Sequence, residues 1–378
     1  MKSARLIAVG ATLTLAVLTA AAPVHADAPT AASILKSGAQ KGIADGYPGV
    51  VGQVRSGDSA QYVSAGTGNT ATKAPADPQA QFRMGSNTKA FIATVLLQLE
   101  AENKLSLDDS VARWLPGAVD ANGYDGSRIS LRELLNHTSG LPDFVHDTSF
   151  YNSYAANREP DRAWPPQTLV DLGLALRRPS SEPGETWAYS NTNYVLAGMV
   201  IKAVTGNDPA IEVTRRIIEP LGLRHTVFPT SDPLQGNYLH GYAYGWLGTV
   251  LTDVTVSNVQ AMGSAGAMVS NLDDLATFTR ALLDGQLLPP AQEAELKTTV
   301  PTGSAGISYG LGISRFQLSC GRWVWSHNGA VLGYFSTWYA DDDGSEQVLE
   351  ANTEYHLQAP TRGQTDTDKG MRDAFCAL

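Results

Sequence analysis

The chain has 378 residues, with 37 acidic against 27 basic side chains and a net charge of −10. An acidic balance with no run of Lys or Arg argues against nucleic acid and against anionic membranes as partners. The seven histidines are scattered, with no His-x-His, His-Glu-x-x-His or Cys-x-x-Cys spacing, so the sequence implies no metal site and no cofactor.

Met1-Lys2-Ser3-Ala4-Arg5 leads into an apolar stretch from Leu6 to Ala22 and a small-residue step, Val24-His25-Ala26, the pattern of a secretory signal peptide (residues 1–26). Cleavage is predicted after Ala26. The stretch is short and interrupted by Gly10 and three threonines, which argues against a membrane anchor. The expected product, residues 27–378, is secreted (extracellular) and more acidic still, because the first 26 residues hold two of the basic and none of the acidic side chains. It is long enough to bury a large core and reads as one catalytic unit made of two lobes.

Ala31 to Ala44 reads as an amphipathic helix ended by Gly46 and Pro48. Val50 to Arg55 and Gln61 to Ala65 read as strands joined at Ser56-Gly57-Asp58. Phe82-Arg83-Met84-Gly85-Ser86-Asn87-Thr88-Lys89 then opens an apolar run, Ala90 to Leu99, that reads as a helix buried on most of its surface. Gly85 allows a tight entry. Ser86 and Lys89 share one face of a first helical turn, close enough to exchange a proton. The N–H groups of that turn can stabilise a developing oxyanion. The pair is a candidate nucleophile and base, against the plainer alternative of a serine cap beside an ordinary lysine.

From Lys104 to about Val259 the pattern is one of short helices separated by Pro and Gly. Ser130 and Glu133 form a capping box for a helix reaching Leu135, and Tyr194 to Thr205 is a helix closed by Gly206. Leu141 to Gln167 is polar and aromatic with little periodicity and reads as a long surface loop. Gly263 to Met268 permits close backbone packing, and Ser270-Asn271-Leu272-Asp273 reads as a second capping box starting a helix to Leu283. Strand-like segments follow at 311–316, 322–326, 333–340 and 347–351, the last two joined at Asp341-Asp342-Asp343-Gly344. A final helix starts near Thr361. Cys320 and Cys376, an even pair in an exported chain, read most simply as a disulfide worth roughly 4 kcal/mol that ties the last helix to a strand. Two buried free thiols are the alternative. The predicted fold is α/β (α+β): one antiparallel sheet built from both chain ends (about 31–85 and 260–378), flanked by helices, with a mainly helical lobe (about 86–259) inserted.

Two further short motifs lie in turn-rich contexts. Tyr189-Ser190-Asn191 follows Pro183-Gly184-Glu185, and His327-Asn328-Gly329-Ala330 stands at the end of a strand. Each alone reads as a packed aromatic or a structural histidine. With Ser86-x-x-Lys89, in this order, they resemble the penicillin-recognising serine hydrolases: class C β-lactamases, secreted D-alanyl-D-alanine carboxypeptidases, D-aminopeptidases and related esterases. Leu134-Leu135-Asn136-His137-Thr138-Ser139-Gly140-Leu141, Ser264-Ala265-Gly266-Ala267 and Tyr309-Gly310-Leu311-Gly312 carry the same resemblance, which covers the chain from about residue 32 onward. The cysteine contexts Leu318-Ser319-Cys320-Gly321 and Ala374-Phe375-Cys376 resemble those of the carboxypeptidases.

The resemblance implies a β-lactamase/transpeptidase-like fold and acyl-enzyme chemistry on Ser86. Lys89 and Tyr189 would share the proton relay, with the base left open between them. A lysine of ordinary pKa about 10.4 needs desolvation or cationic neighbours to serve. Asn191 would bind the acyl side of the substrate and hold Lys89. Gly329 and Ala330 would lie on the substrate strand, the Ala330 N–H joining that of Ser86 in an oxyanion hole worth about 3 kcal/mol per donor. His327, where many relatives carry Lys, would bring a positive or hydrogen-bonding group to the cavity edge. The expected partners are a small peptide or peptidoglycan-like substrate and β-lactams as inhibitors, bound by a monomer.

The departures from the carboxypeptidase pattern lie on the substrate side. Asn328 and Ala330 stand where those relatives carry hydroxylated residues. Ser314 stands where they carry an Arg that helps hold the substrate carboxylate, with Arg315 one step along and so on the opposite strand face. The first expectation is a secreted serine-type D-alanyl-D-alanine carboxypeptidase-like hydrolase. A D-amino-acid amidase, endopeptidase or esterase is the next, then a β-lactamase, then a non-catalytic binder. The absence of Gly-x-Ser-x-Gly counts against an α/β-hydrolase lipase.

Overall fold

A computed structural model describes Met1 and residues 28–229, 234–244, 250–258, 261–355 and 362–378. The expected signal segment after Met1, its cleavage step and the start of the last helix at Thr361 lie outside the described residues.

Helix α1 (Ala31–Ala44) is capped by the Thr30 side chain, which accepts from Ser33 N–H. The main sheet has strands β1 (Gly49–Ser56), β2 (Ser59–Asn69), β3 (Ala74–Pro75), β4 (Val300–Pro301), β5 (Ile307–Tyr309), β6 (Ser314–Gln317), β7 (Trp323–Val331), β8 (Tyr334–Ala340) and β9 (Glu346–Asn352). Their order is β3-β2-β1-β9-β8-β7-β6-β5-β4, antiparallel throughout. The joint between the two chain ends is β1 on β9, with Val50 opposite Asn352 and Ser56 opposite Glu346. The expected antiparallel sheet from both ends is therefore the observed one.

Because side chains alternate along a strand, each sheet face has its own core. Val51, Trp325, Trp338 and Leu349 face the helical side with Phe91 and Leu96. Val54, Val324, Tyr339 and Val348 face outward against Leu35 of α1 and Met371 and Phe375 of α5 (Arg362–Cys376). Helix α2 (Thr88–Ala101) is buried at every position from Thr88 to Leu97, so its Leu, Ile and Phe side chains each contribute about 1.5–3 kcal/mol of burial. It begins at Thr88 because residues Gly85–Asn87 form a 3-10 turn ahead of it.

Several expectations change in detail. The segment 141–167 is no surface loop: it holds a 3-10 turn (Phe144–His146) and a helix (Thr148–Tyr154) capped by Asp143 and Asp147. Phe144, Phe150, Tyr154 and Trp164 are buried against one another in edge and stacked contacts. Short elements that pack by aromatic contact leave no periodicity to read. Helix α3 (Asn191–Thr205) starts already at Asn191. Helix α4 (Leu272–Leu283) is capped by Asn271, whose side chain accepts from Asp274 N–H, so Ser270 is not the cap. The His327-Asn328-Gly329-Ala330 stretch lies within β7 rather than at its end. Cys320 sits in the turn between β6 and β7, and its disulfide to Cys376 ties α5 to that turn, not to a strand.

Candidate active site

The 85–87 turn is seated directly on β7. Beyond Ser326 this strand has no β6 partner, because β6 begins at Ser314, opposite Ser326. Backbone groups alternate between neighbours along an antiparallel strand. Ser326 O faces β6, accepting from Ser314 Oγ at 2.9 Å, while His327 O faces β8, where Thr337 Oγ1 lies 3.5 Å away. By that alternation the Ala330 N–H points off the sheet, toward the turn. A Cβ placed on Gly85 (φ +54°) would lie 2.6 Å from the Ala330 nitrogen, and one on Gly329 would lie 1.8 Å from Met84 O. Glycine at both positions is what allows the two backbones to touch. The N–H groups of Ser86 and Ala330 thus flank one point in space, the geometry of an oxyanion hole.

Two side chains lock the turn in place. Asn87 Nδ2 donates to Met84 O (3.0 Å) and to Ser336 Oγ on β8 (2.9 Å). Thr88 Oγ1 donates to Gly85 O (2.7 Å) and accepts from Met268 N–H (3.1 Å). Ser86 is the one partly exposed residue between Phe82 and Ala90. A nucleophile must be both fixed and reachable, and Ser86 is both.

Lys89 lies beneath it, fully buried. Its Nζ donates to Ser86 Oγ (3.0 Å), Asn191 Oδ1 (2.8 Å) and Ala265 O (2.6 Å). All three acceptors are uncharged, and burial brings its pKa down to about 7 against the opposing pull of Asp143. Asp143 is reached through Asn191, whose Nδ2 donates to Asp143 Oδ2 at 2.8 Å. Burial in turn raises the Asp143 pKa. Asn191 is aimed because it opens α3, directly after Ser190, whose Oγ is tied to Pro142 O (3.0 Å).

Tyr189 stands beside Ser86, whose hydroxyl opposes the rise of the phenol pKa, with Lys89 Nζ 4.9 Å from the ring centroid. Burial pushes its pKa far above the phenol range, so the phenol stays protonated. His137, at φ +65°, packs against Tyr189 with ring centroids 4.3 Å apart. Its Nδ1 accepts from Ser190 N–H (3.2 Å), and burial beside Lys89 keeps the ring neutral, its pKa well below the usual histidine range.

His327 is buried against the same cluster. Its Nδ1 donates to Asn328 O (2.5 Å) and its Nε2 accepts from the Tyr309 hydroxyl (2.9 Å). Burial and the Lys89 charge lower its pKa to about 3. The ring is neutral and both of its nitrogens are engaged inside the protein, so it brings no positive charge to the cavity edge. All the expected residues, Ser86, Lys89, Tyr189, Asn191, His327, Gly329 and Ala330, therefore meet in one place. Sequence reasoning missed Asp143 and gave Tyr309 no part. Asp143 reaches the site only through Asn191 and carries no local motif; Tyr309 opens one of the stretches that carry the resemblance, but nothing in that stretch tells of its contact with His327.

The substrate side is rebuilt. Ser314 and Arg315 pair with Ser326 and Trp325 in regular register, without a bulge. The Arg315 guanidinium is held by Asp342 (3.1 Å) and lies 5.4 and 5.0 Å from the ring centroids of Trp323 and Trp325. It points to the far end of β7 from Ala330.

A model of the Beta-lactamase family matches residues 37–345. "Penicillin-binding protein 4*" of Bacillus subtilis (strain 168) is 29% identical over 335 residues, which span 82% of this chain and 70% of that protein. A D-stereospecific amidohydrolase from Streptomyces sp. has the same architecture (TM-score 0.81), at 38% identity over 85% of this chain and 94% of its own. The D-amino acid amidase of Ochrobactrum anthropi SV3, complexed with L-phenylalanine amide, superimposes with TM-score 0.80 and 25% identity, over 92% of this chain and 98% of its own.

Proposed function

Because this chain belongs to the beta-lactamase family of penicillin-recognising serine hydrolases, we propose that it is a D-stereospecific amidohydrolase working through an acyl-Ser86 intermediate. The observation that carries this reading is the engaged Arg315. With its guanidinium held by Asp342 and Ser314 at the neighbouring position, neither of these two strand positions offers a cation to a substrate carboxylate beside Ala330. A charge-assisted contact of that kind is worth roughly 1.5–3 kcal/mol, so a free C-terminal acid gains little here over an amide. The D-amide hydrolases among the similar structures support the same choice.

In the proposed reaction Lys89, neutral in part near pH 7, takes the Ser86 proton as Oγ bonds to the carbonyl carbon. The oxyanion is held by the Ser86 and Ala330 N–H groups. Tyr189, which stays a phenol, passes a proton to the leaving nitrogen as the C–N bond breaks and is reprotonated from Lys89. Water then repeats the sequence on the ester and releases the acid. Cleavage of free-acid D-Ala-D-Ala peptides is a slower activity of the same site. We place the protein outside the cell, where the disulfide and the N-terminal segment both fit.

The test compares kcat/KM for D-phenylalanine amide with that for a D-Ala-D-Ala free-acid peptide, alongside intact mass after benzylpenicillin. Faster amide turnover and an adduct on Ser86 are expected. A preference of tenfold or more for the free acid would return the reading to a carboxypeptidase, and rapid consumption of the antibiotic to a β-lactamase.

A further inference from the structure

On the outer face of the sheet, between β6–β9 and the start of α5, lies a cavity of about 400 Å³. Ser314 and the exposed Asn328 line it on one side, and the buried Glu350 on β9 lines it as well. Asn328 pairs with Thr337 and Thr337 with Glu350, so the three side chains stand in one row across the strands. Asn328 is two residues from Ala330 on the same strand, so the lining reaches the strand that carries the oxyanion donor.

Glu350 is 3% exposed, and its Oε2 has no hydrogen-bond partner among the described residues. The neighbouring acid is satisfied: Asp368 accepts from the Tyr339 hydroxyl and from Arg372 Nε (2.7 Å). Asn352, two residues further along the same face and 1% exposed, has neither side-chain amide atom hydrogen-bonded among the described residues. A buried carboxyl oxygen left without a donor is costly unless something supplies one. Burial pushes the Glu350 pKa up to about 8, against the opposing effect of the Thr367 hydroxyl.

We propose that this cavity is the subsite for an amine-bearing leaving group, and that Glu350 receives its ammonium. The proposal rests on the amidohydrolase reading and adds the substrate class. A leaving group extends from the scissile nitrogen along β7 toward Asn328. Two strand spacings of about 4.8 Å and two residues of about 3.3 Å separate Glu350 from Ala330, a diagonal of about 12 Å. The glutamate side chain covers about a third of it. At roughly 1.2 Å per bond, five or six methylenes between the scissile nitrogen and the ammonium span the rest.

The experiment measures kcat/KM for D-phenylalanine amides of α,ω-diaminoalkanes with two to eight methylenes, each against the n-alkyl amide of equal length. The expected result is a tenfold or larger preference for the ammonium, greatest at five or six methylenes. Glu350→Gln should abolish it and leave D-phenylalanine amide turnover unchanged. The length series needs only the native protein, so it decides even where that variant does not fold. An absent preference, one independent of length, or one retained in Glu350→Gln overturns the subsite while simple amide turnover stands. No turnover of any D-amide takes down the amidohydrolase reading and the subsite with it.

Discussion

Lys89 is surrounded by oxygen atoms that carry no charge, and the anion that acts on it, Asp143, stands behind Asn191. Burial therefore wins over attraction and its pKa falls to about 7. A base works deprotonated, so kcat/KM on D-phenylalanine amide should rise with pH through an ascending limb near 7. Asp143 raises the Lys89 pKa, so Asp143→Asn should move that limb to lower pH. Its side-chain oxygen can still accept from Asn191, and kcat should stay within about tenfold. A limb that does not move would assign it to another group. His327 contributes no limb in this range, being neutral above a pKa of about 3. The residues proposed for this chemistry were legible where they sit in short motifs: Ser86 with Lys89, Tyr189 with Asn191, His327 with Ala330. Asp143 was not, because it lies 48 positions from Asn191 and its meaning exists only through that contact. The Ala265 carbonyl on Lys89 was not, because a backbone acceptor has no residue type to read.

At the scale of elements the site depends on how closely the 85–87 turn approaches β7. A Cβ on Gly329 would meet Met84 O at 1.8 Å and Ser86 N at 2.9 Å, both backbone atoms. Gly329→Ala should therefore destabilise by about 1–3 kcal/mol through overpacking. It should slow acylation more than it lowers stability, since the oxyanion donors move apart. Thermal unfolding and the rate of benzylpenicillin adduct formation measure the two effects separately, and wild-type acylation in a folded variant would refute the seat. The neighbouring strand gives a gain-of-function test. Ser314→Arg puts a guanidinium beside Asn328, where Arg315 cannot reach, and should raise the free-acid to amide ratio of kcat/KM by one to two orders of magnitude. Strand alternation made the Ser314–Arg315 step readable in advance, because one position flips the face. The 141–167 segment was not readable: a 3-10 turn and a seven-residue helix are too short for a period to show.

The whole molecule closes its ends upon each other. β1 pairs with β9, and α1 lies on α5 so closely that a Cβ on Gly38 would stand 2.8 Å from the Gly370 Cα. Strands at both ends of the sequence and helices between them already point to this arrangement, but not to the glycine contact, which only the packed pair of helices explains. The disulfide belongs to this closure. Cys320 and Cys376 are 56 positions apart, and the bond fixes the end of α5 to the β6–β7 turn on the outer face, away from Ser86. In the chain-entropy account a loop of that length contributes roughly 4 kcal/mol. At about 2.1 cal/mol/K of unfolding entropy per residue, that corresponds to a Tm shift of roughly 5 °C for a chain of this size. The double variant Cys320→Ala/Cys376→Ala should therefore melt several degrees lower while keeping its kcat on D-phenylalanine amide at low temperature. The inner face, with α2 and the 85–87 turn, keeps its own core when the outer closure loosens. If activity fell in step with Tm, the two faces would be one cooperative unit, and the turn would owe its seat to the closure of the chain ends.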